Sequence, residues 1–153
     1  MQNRIARLTD FLPYLMSVTA NEVSGFIAEE YREKFGLRIP EWRIIIVLGH
    51  LGALTQRELV DATLMDKVAV NRACKVLEDR DIIARSPNDR DGRSHHLDLT
   101  AHGLDVHTEV MPLTSETFER IYAAITPDER EMLKSLLTRI REGVRHLGRD
   151  GTA

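Results

Sequence analysis

The sequence predicts a mainly α-helical chain with one small β-hairpin. Three observations predict this. Apolar residues recur at helical spacing through most of the 153 residues. Capping residues mark successive helix starts at Thr55, Asp66, Thr100 and Thr126. One stretch, 82–99, instead alternates with a period of two on either side of a polar turn.

Bulk composition narrows the class before any motif is read. A chain that is 42% hydrophobic and 29% charged can bury a real core and has no reason to be disordered. Aromatics at 5% disfavour an aromatic-lined sheet for single-stranded nucleic acid. The opening MQNRIARLTDFLPYL lacks the layout of a signal peptide. The longest apolar run, Ile44 to Gly49, is too short to span a bilayer, so no membrane role is expected. A single cysteine, Cys74, forbids an internal disulfide, and the expected compartment is the cytoplasm. The net charge of −3 argues against a nucleic-acid partner unless basic residues gather at one place.

In chain order, Leu12, Leu15, Thr19, Phe26 and Tyr31 predict a helix over about Thr9 to Lys34, with Gly36 as its stop. Pro40 suits a first helical turn and predicts a helix to Leu51, despite the strand-like Ile44-Ile45-Ile46-Val47 run. Thr55 and Glu58 form a capping-box pattern for a short helix, Gln56 to Ala62. Thr63-Leu64-Met65 then connects to a helix capped by Asp66, Lys67 to Arg80. This pair is a helix-turn-helix pattern. Ile82 to Arg85 and Ser94 to Leu99 read as paired strands, with His95, Leu97 and Leu99 on one face. Thr100 caps a helix reaching towards Ala124, in which Pro112 predicts a bend or break. Thr126-Pro127-Asp128-Glu129 starts a last helix with Leu133, Leu136, Leu137, Ile140, Val144 and Leu147 as its apolar stripe. A hairpin directly after the second helix of such a pair is a winged helix-turn-helix arrangement.

Chemistry concentrates on the helix after Asp66. Val70, Ala73, Cys74 and Leu77 make one buried face, which Asn71, Arg72 and Lys75 cannot share. Near the start of a recognition helix, Asn can read adenine and Arg or Lys can read guanine. Thr55, Gln56 and Lys67 join these as candidate DNA contacts. On the hairpin tip, Arg90 and Arg93 flank Asp91-Gly92 and suit a minor groove, with Asp91 placed to orient an arginine. The 66–93 segment carries seven basic residues against six acidic ones. Binding therefore requires a geometry that turns the acids away from phosphate.

These residues resemble the MarR family of bacterial transcriptional regulators, over about residues 9 to 147. The most specific part is Asp89-Arg90-Asp91-Gly92-Arg93 with Leu99-Thr100 and Gly103, similar to the family's wing signature. Met65 to Arg72 is similar to its recognition-helix start, and Ile39-Pro40-Glu41-Trp42-Arg43 to its second-helix opening. Leu64 and Asp81 depart from the family pattern, standing where glycine is frequent. The resemblance implies a homodimer, with residues 1–38 and 101–148 as dimerisation helices, 39–100 as the DNA-binding module and 149–153 as a tail. It implies a pseudopalindromic operator on double-stranded DNA. It also implies control by a small aromatic or anionic ligand held between dimer base and DNA-binding module. Candidates for that role by position are Trp42, Arg43, Phe11, Tyr14, Met16 and His50, with Arg43 the best suited to a carboxylate.

Other classes fit less well. No nucleophile elbow, phosphate-cradling glycine loop or His-Glu-x-x-His motif is present, so no enzyme and no cofactor are expected. Cys74 falls on a buried face, against a redox sensor. His102 and His107 are five apart, not the four of a helical zinc pair, so no metal is expected. A winged helix that binds a protein partner instead of DNA is the alternative.

Overall fold

A computed structural model describes residues 8–88 and 92–150. Among them are six α-helices: α1 (Leu12–Phe35), α2 (Ile39–Leu51), α3 (Gln56–Thr63), α4 (Lys67–Asp79), α5 (Ala101–Ile121) and α6 (Pro127–Asp150). Three strands, β1 (Leu54–Thr55), β2 (Ile83–Pro87) and β3 (His95–Leu99), form one antiparallel sheet in the order β1-β3-β2. The chain divides into two compact units, Met1–Thr114 and Ser115–Ala153.

The first unit holds the core. Ile44, Ile45 and Leu48 of α2, Leu59 of α3, and Val70, Ala73, Cys74 and Leu77 of α4 are buried with Ile82, Ile83 and Leu97 of the hairpin. The β-branched run in α2 is thus buried inside a helix, where packing outweighs its strand propensity. Helix ends follow the capping chemistry. Gly36 ends α1 in the left-handed conformation (φ 61°), and its amide donates to the Arg32 carbonyl at 3.1 Å. The buried Glu41 carboxylate accepts the Arg38 amide at 2.9 Å, closing the start of α2. Thr100 Oγ1 accepts from the Gly103 amide at 2.9 Å. Gly103 is required by close approach, since a Cβ there would run into the Ile82 carbonyl.

Two expectations are corrected and one is extended. The β2–β3 hairpin pairs as expected and gains a third strand, Leu54 pairing with Leu97 and Thr55 with His96. A two-residue strand is too short to show a period of two. Pro112 does not break α5, which runs unbroken through it to Ile121 and then passes into a single 3-10 turn at Tyr122–Ala124. Pro112 and Thr108, the residue whose carbonyl loses its amide partner, are both exposed, so water can replace the missing bond. Finally, the α1 stripe is not a core face along its length. Ile27 and Tyr31 are buried, whereas Leu12, Leu15 and Phe26 are exposed.

In the second unit, Arg130 of α6 meets Glu119 at 2.9 Å and donates to the Tyr122 carbonyl at 3.1 Å, tying the start of α6 to the preceding turn. Thr126 and Glu129 cap each other, and Leu133, Leu136, Leu137, Ile140, Val144 and Leu147 are all exposed within the chain.

Candidate nucleic-acid interface

The helix-turn-helix is built from two capped starts. Thr55 Oγ1 accepts from the Glu58 amide at 3.3 Å, and the Glu58 carboxylate accepts the Thr55 amide at 2.7 Å. These bonds stabilise the ionised carboxylate and hold the Glu58 pKa below its usual value. Asp66 accepts from the Ala69 amide at 2.8 Å and starts α4. Leu64 occupies the turn in the left-handed conformation (φ 54°), its amide donating to Val60 at 2.9 Å. The turn thus keeps a glycine-like backbone with a leucine in it. Asp81 does the same after α4 (φ 55°), where its short polar side chain is better tolerated.

On α4, Val70, Ala73, Cys74 and Leu77 face inward, while Asn71, Arg72 and Lys75 are exposed on the opposite side. Among the described residues, these three and Lys67 have no hydrogen-bond or ion-pair partner. Burial drives the Cys74 thiol up to about 11, so it stays protonated and poorly nucleophilic.

The hairpin is tied to α4 by a two-pronged ion pair. Arg85 of β2 donates to both carboxylate oxygens of Glu78, at 2.5 and 3.1 Å, which raises the Arg85 pKa further. Arg80, just past α4, reaches 44 residues back along the chain to the Gly36 carbonyl (3.1 Å) and also to Phe35 (2.8 Å). It thereby links the end of α4 to the end of α1. Neither contact is legible in the sequence, because both depend on tertiary placement.

An open cleft of about 630 Å³ brings Thr55, Gln56, Lys67 and Arg93 together. Arg57, Arg85 and His95 also line it and were missed by sequence reasoning. The signal for Arg57 was available, one residue inside the capped helix. Those for Arg85 and His95 needed the strand register, Arg85 opposite Leu97 and Pro87 opposite His95. Asn71, Arg72 and Lys75 lie outside this cleft, along α4. Arg90 and Asp91 fall outside the described residues.

The candidate ligand residues do not converge within one chain. Trp42 is half-buried and stacks on Tyr31, ring centroids 5.3 Å apart. The Tyr31 hydroxyl in turn bonds the Thr114 hydroxyl, and burial raises its pKa. Phe11, Tyr14 and Met16 are exposed near the opposite end of α1, roughly 22–30 Å from Tyr31 at the helical rise per residue. Arg43 is half-buried. His50 bonds the Ile46 carbonyl at 2.9 Å and meets the His107 ring edge-on at 6.1 Å. The sequence reading weighs His107 only as half of a zinc pair and gives it no part in ligand binding. It lies over Gly49, where a Cβ would strike its ring.

A capped helix pair whose second helix turns a polar face outward, followed by a hairpin that joins β1 in a three-stranded sheet, defines a winged helix-turn-helix protein. Residues 35–94 match the model of the MarR family, the family whose resemblance is read from the sequence. The chain is 21% identical over 109 residues to the transcriptional repressor IacR of Pseudomonas putida, a match covering 71% of this chain and 65% of that protein. It is similar to the crystal structure of a MarR/EmrR family transcriptional regulator from Acinetobacter sp. ADP1, at 25% identity and a TM-score of 0.85, covering 92% of this chain and 99% of that one. A probable transcriptional regulator from Pseudomonas aeruginosa is similar at 25% identity and a TM-score of 0.77, covering 88% and 99% respectively. No helix of the described residues is long and apolar enough to cross a membrane.

Proposed function

We propose that this protein is a homodimeric, sequence-specific DNA-binding repressor. The observation that carries this reading is the outward set Asn71, Arg72 and Lys75, unpartnered among the described residues on a helix whose other side is sealed into the core. In this reading α4 enters the major groove of double-stranded DNA and reads base edges. Lys67, Thr55 and Gln56 contact phosphate beside it, and Arg93, with Arg90 and Asp91, serves the minor groove. Residues 39–100 act as the DNA-binding module, flanked by dimerisation helices.

The dimer reading is supported by apolar side chains left exposed in each unit: Leu12, Leu15 and Phe26 in α1, and the Leu133 to Leu147 stripe of α6. Two-fold symmetry then implies half-sites about one helical turn apart, roughly 34–36 Å. Release by a small aromatic or anionic effector is part of the proposal. A solved structure of the same fold, at 19% identity, is that of Bordetella bronchiseptica BpsR, whose DNA binding is regulated by 6-hydroxynicotinic acid. In this chain, Trp42 and Arg43 offer an aromatic face and a cation for such a compound, and His50 is the third candidate. If Phe11, Tyr14 and Met16 take part, their distance from Tyr31 requires a second copy of the chain to supply them.

The test is selection of bound sites from random DNA, with a gel shift on the winners, repeated with a panel of aromatic acids. Enrichment of an inverted repeat supports the reading. No retarded DNA at low salt would instead favour a protein partner for the winged module.

A further inference from the structure

Two exposed residues of α4, Val68 and Val76, are not explained by hydrogen-bonding chemistry, and Val68 is the more exposed. Val68 lies in the first turn and is 56% exposed. Positions 68, 71, 72 and 75 follow the i, i+3, i+4, i+7 pattern, opposite the buried set 70, 73, 74 and 77. Val68 therefore heads the same face as Asn71, Arg72 and Lys75. Its identity has no folding rationale. A β-branched residue lowers helix propensity, and this one is not buried within the chain. Asp66 already supplies the cap.

We propose that Val68 is a specificity-determining residue that reads the 5-methyl group of thymine in the major groove. This rests on the DNA-binding reading above. The first turn of a recognition helix is the part that meets base edges. In the major groove the thymine methyl is the apolar feature of the base-pair code, and small apolar side chains recognise it by contact. Asn71 and Arg72 supply donors suited to adenine and guanine, and neither is suited to that methyl. A protein partner would call for an apolar patch continuing along α4. The face instead continues into Asn71, Arg72 and Lys75, each exposed and without a partner among the described residues.

The test replaces each thymine of a selected site, one at a time, by deoxyuridine, which removes only the 5-methyl group. Affinity is measured by fluorescence anisotropy for the full-length wild type and Val68→Ala. Alanine at an exposed helical position favours the helix, so folding is not at stake. The wild type should lose about fourfold in affinity at one thymine per half-site, the worth of one buried methyl group. Val68→Ala, which changes both protomers, should bind the parent site about sixteenfold more weakly, about fourfold for each half-site, with no further loss from uridine at that position. A Val68→Ala protein that keeps the full uridine penalty would overturn the proposal and leave DNA binding intact. So would a wild type indifferent to uridine at every thymine. A wild type that binds no DNA overturns both readings.

Discussion

Two arginines eight residues apart should separate stability from recognition. Arg80 donates to the Phe35 and Gly36 carbonyls, which close the C-terminal end of α1. Arg72 is also solvent-exposed but has no partner among the described residues. Arg80→Met keeps the aliphatic stem and removes two charge-assisted bonds. Such bonds contribute about 1.5–3 kcal/mol where desolvated. Here the side chain is exposed, so water can hydrate the released carbonyls, and the ordered arginine regains rotamer freedom on mutation. The lost interaction with the α1 dipole adds about 0.3–1 kcal/mol. A net cost of about 1–2 kcal/mol follows, equivalent to a fall of about 3–6 °C in Tm for a chain of this length. Arg72→Met should leave Tm within about 1.5 °C, because surface changes away from such contacts stay near ±0.5 kcal/mol. On DNA the order reverses. Arg72→Met should relax sequence preference by about 1–3 kcal/mol at one base pair, and Arg80→Met should leave preference unchanged. Thermal melts followed by circular dichroism, paired with site selection, read both axes. Equal Tm values for the two variants would refute the structural half of this reasoning. An unaltered preference in Arg72→Met would refute the functional half.

Three further outcomes are expected. Cys74, buried and with its thiol raised to about 11, should resist alkylation by iodoacetamide at pH 8 in the native protein and react fully in denaturant; rapid native labelling would refute its burial. Leu64→Gly should raise stability by about 1 kcal/mol in urea unfolding, because Leu64 is 67% exposed and held at φ 54°, a conformation that strains side chains with a Cβ; a loss of stability would show that the leucine packs against something. The His107 pKa is lowered, first by burial and then by the neighbouring His50, so its contribution to stability is present above the unfolded value of 6.5 and lost as pH falls through the folded one; an NMR titration of His107 with a midpoint at or above 6.5 would contradict this.

Local rules made much of the fold legible. Thr55, Asp66, Thr100 and Thr126 announce helix starts through bonds between residues three apart, and the structure makes those bonds. Likewise the α4 face follows from a period that four apolar residues suffice to define. What the sequence does not announce is long-range. The link from Arg80 to the end of α1, the Glu78–Arg85 pair and the pairing of Leu54 with Leu97 depend on where distant elements pack. The same limit applies to the ligand candidates, since Met16 carries no sign that α1 holds it roughly 22 Å from Tyr31, the ring on which Trp42 stacks. Pro112 shows the converse error, in which a strong local rule yields because both affected groups face solvent.

The acidic overall charge raises the sharpest objection to a DNA partner, and the arrangement of carboxylates answers it. Glu78 is neutralised by Arg85, whereas the exposed Asp66 keeps its charge and directs it at the amides of the α4 start. Asp79 shares the outward face but lies eleven residues after Val68, about 16 Å along the helix axis. The Debye length at 0.1 M salt is about 10 Å, so that charge is largely screened from a phosphate held near the first turn. Within one Debye length of that turn the outward face carries Arg72 and Lys75, with Lys67 beside them and no carboxylate but the capping Asp66. Along α4, the field a phosphate would meet is therefore set by these few side chains more than by the charge of the chain as a whole. By the same reasoning, moving a carboxylate into the first two turns, as in Asn71→Asp, should abolish binding at a net-charge change too small to matter anywhere else on the molecule.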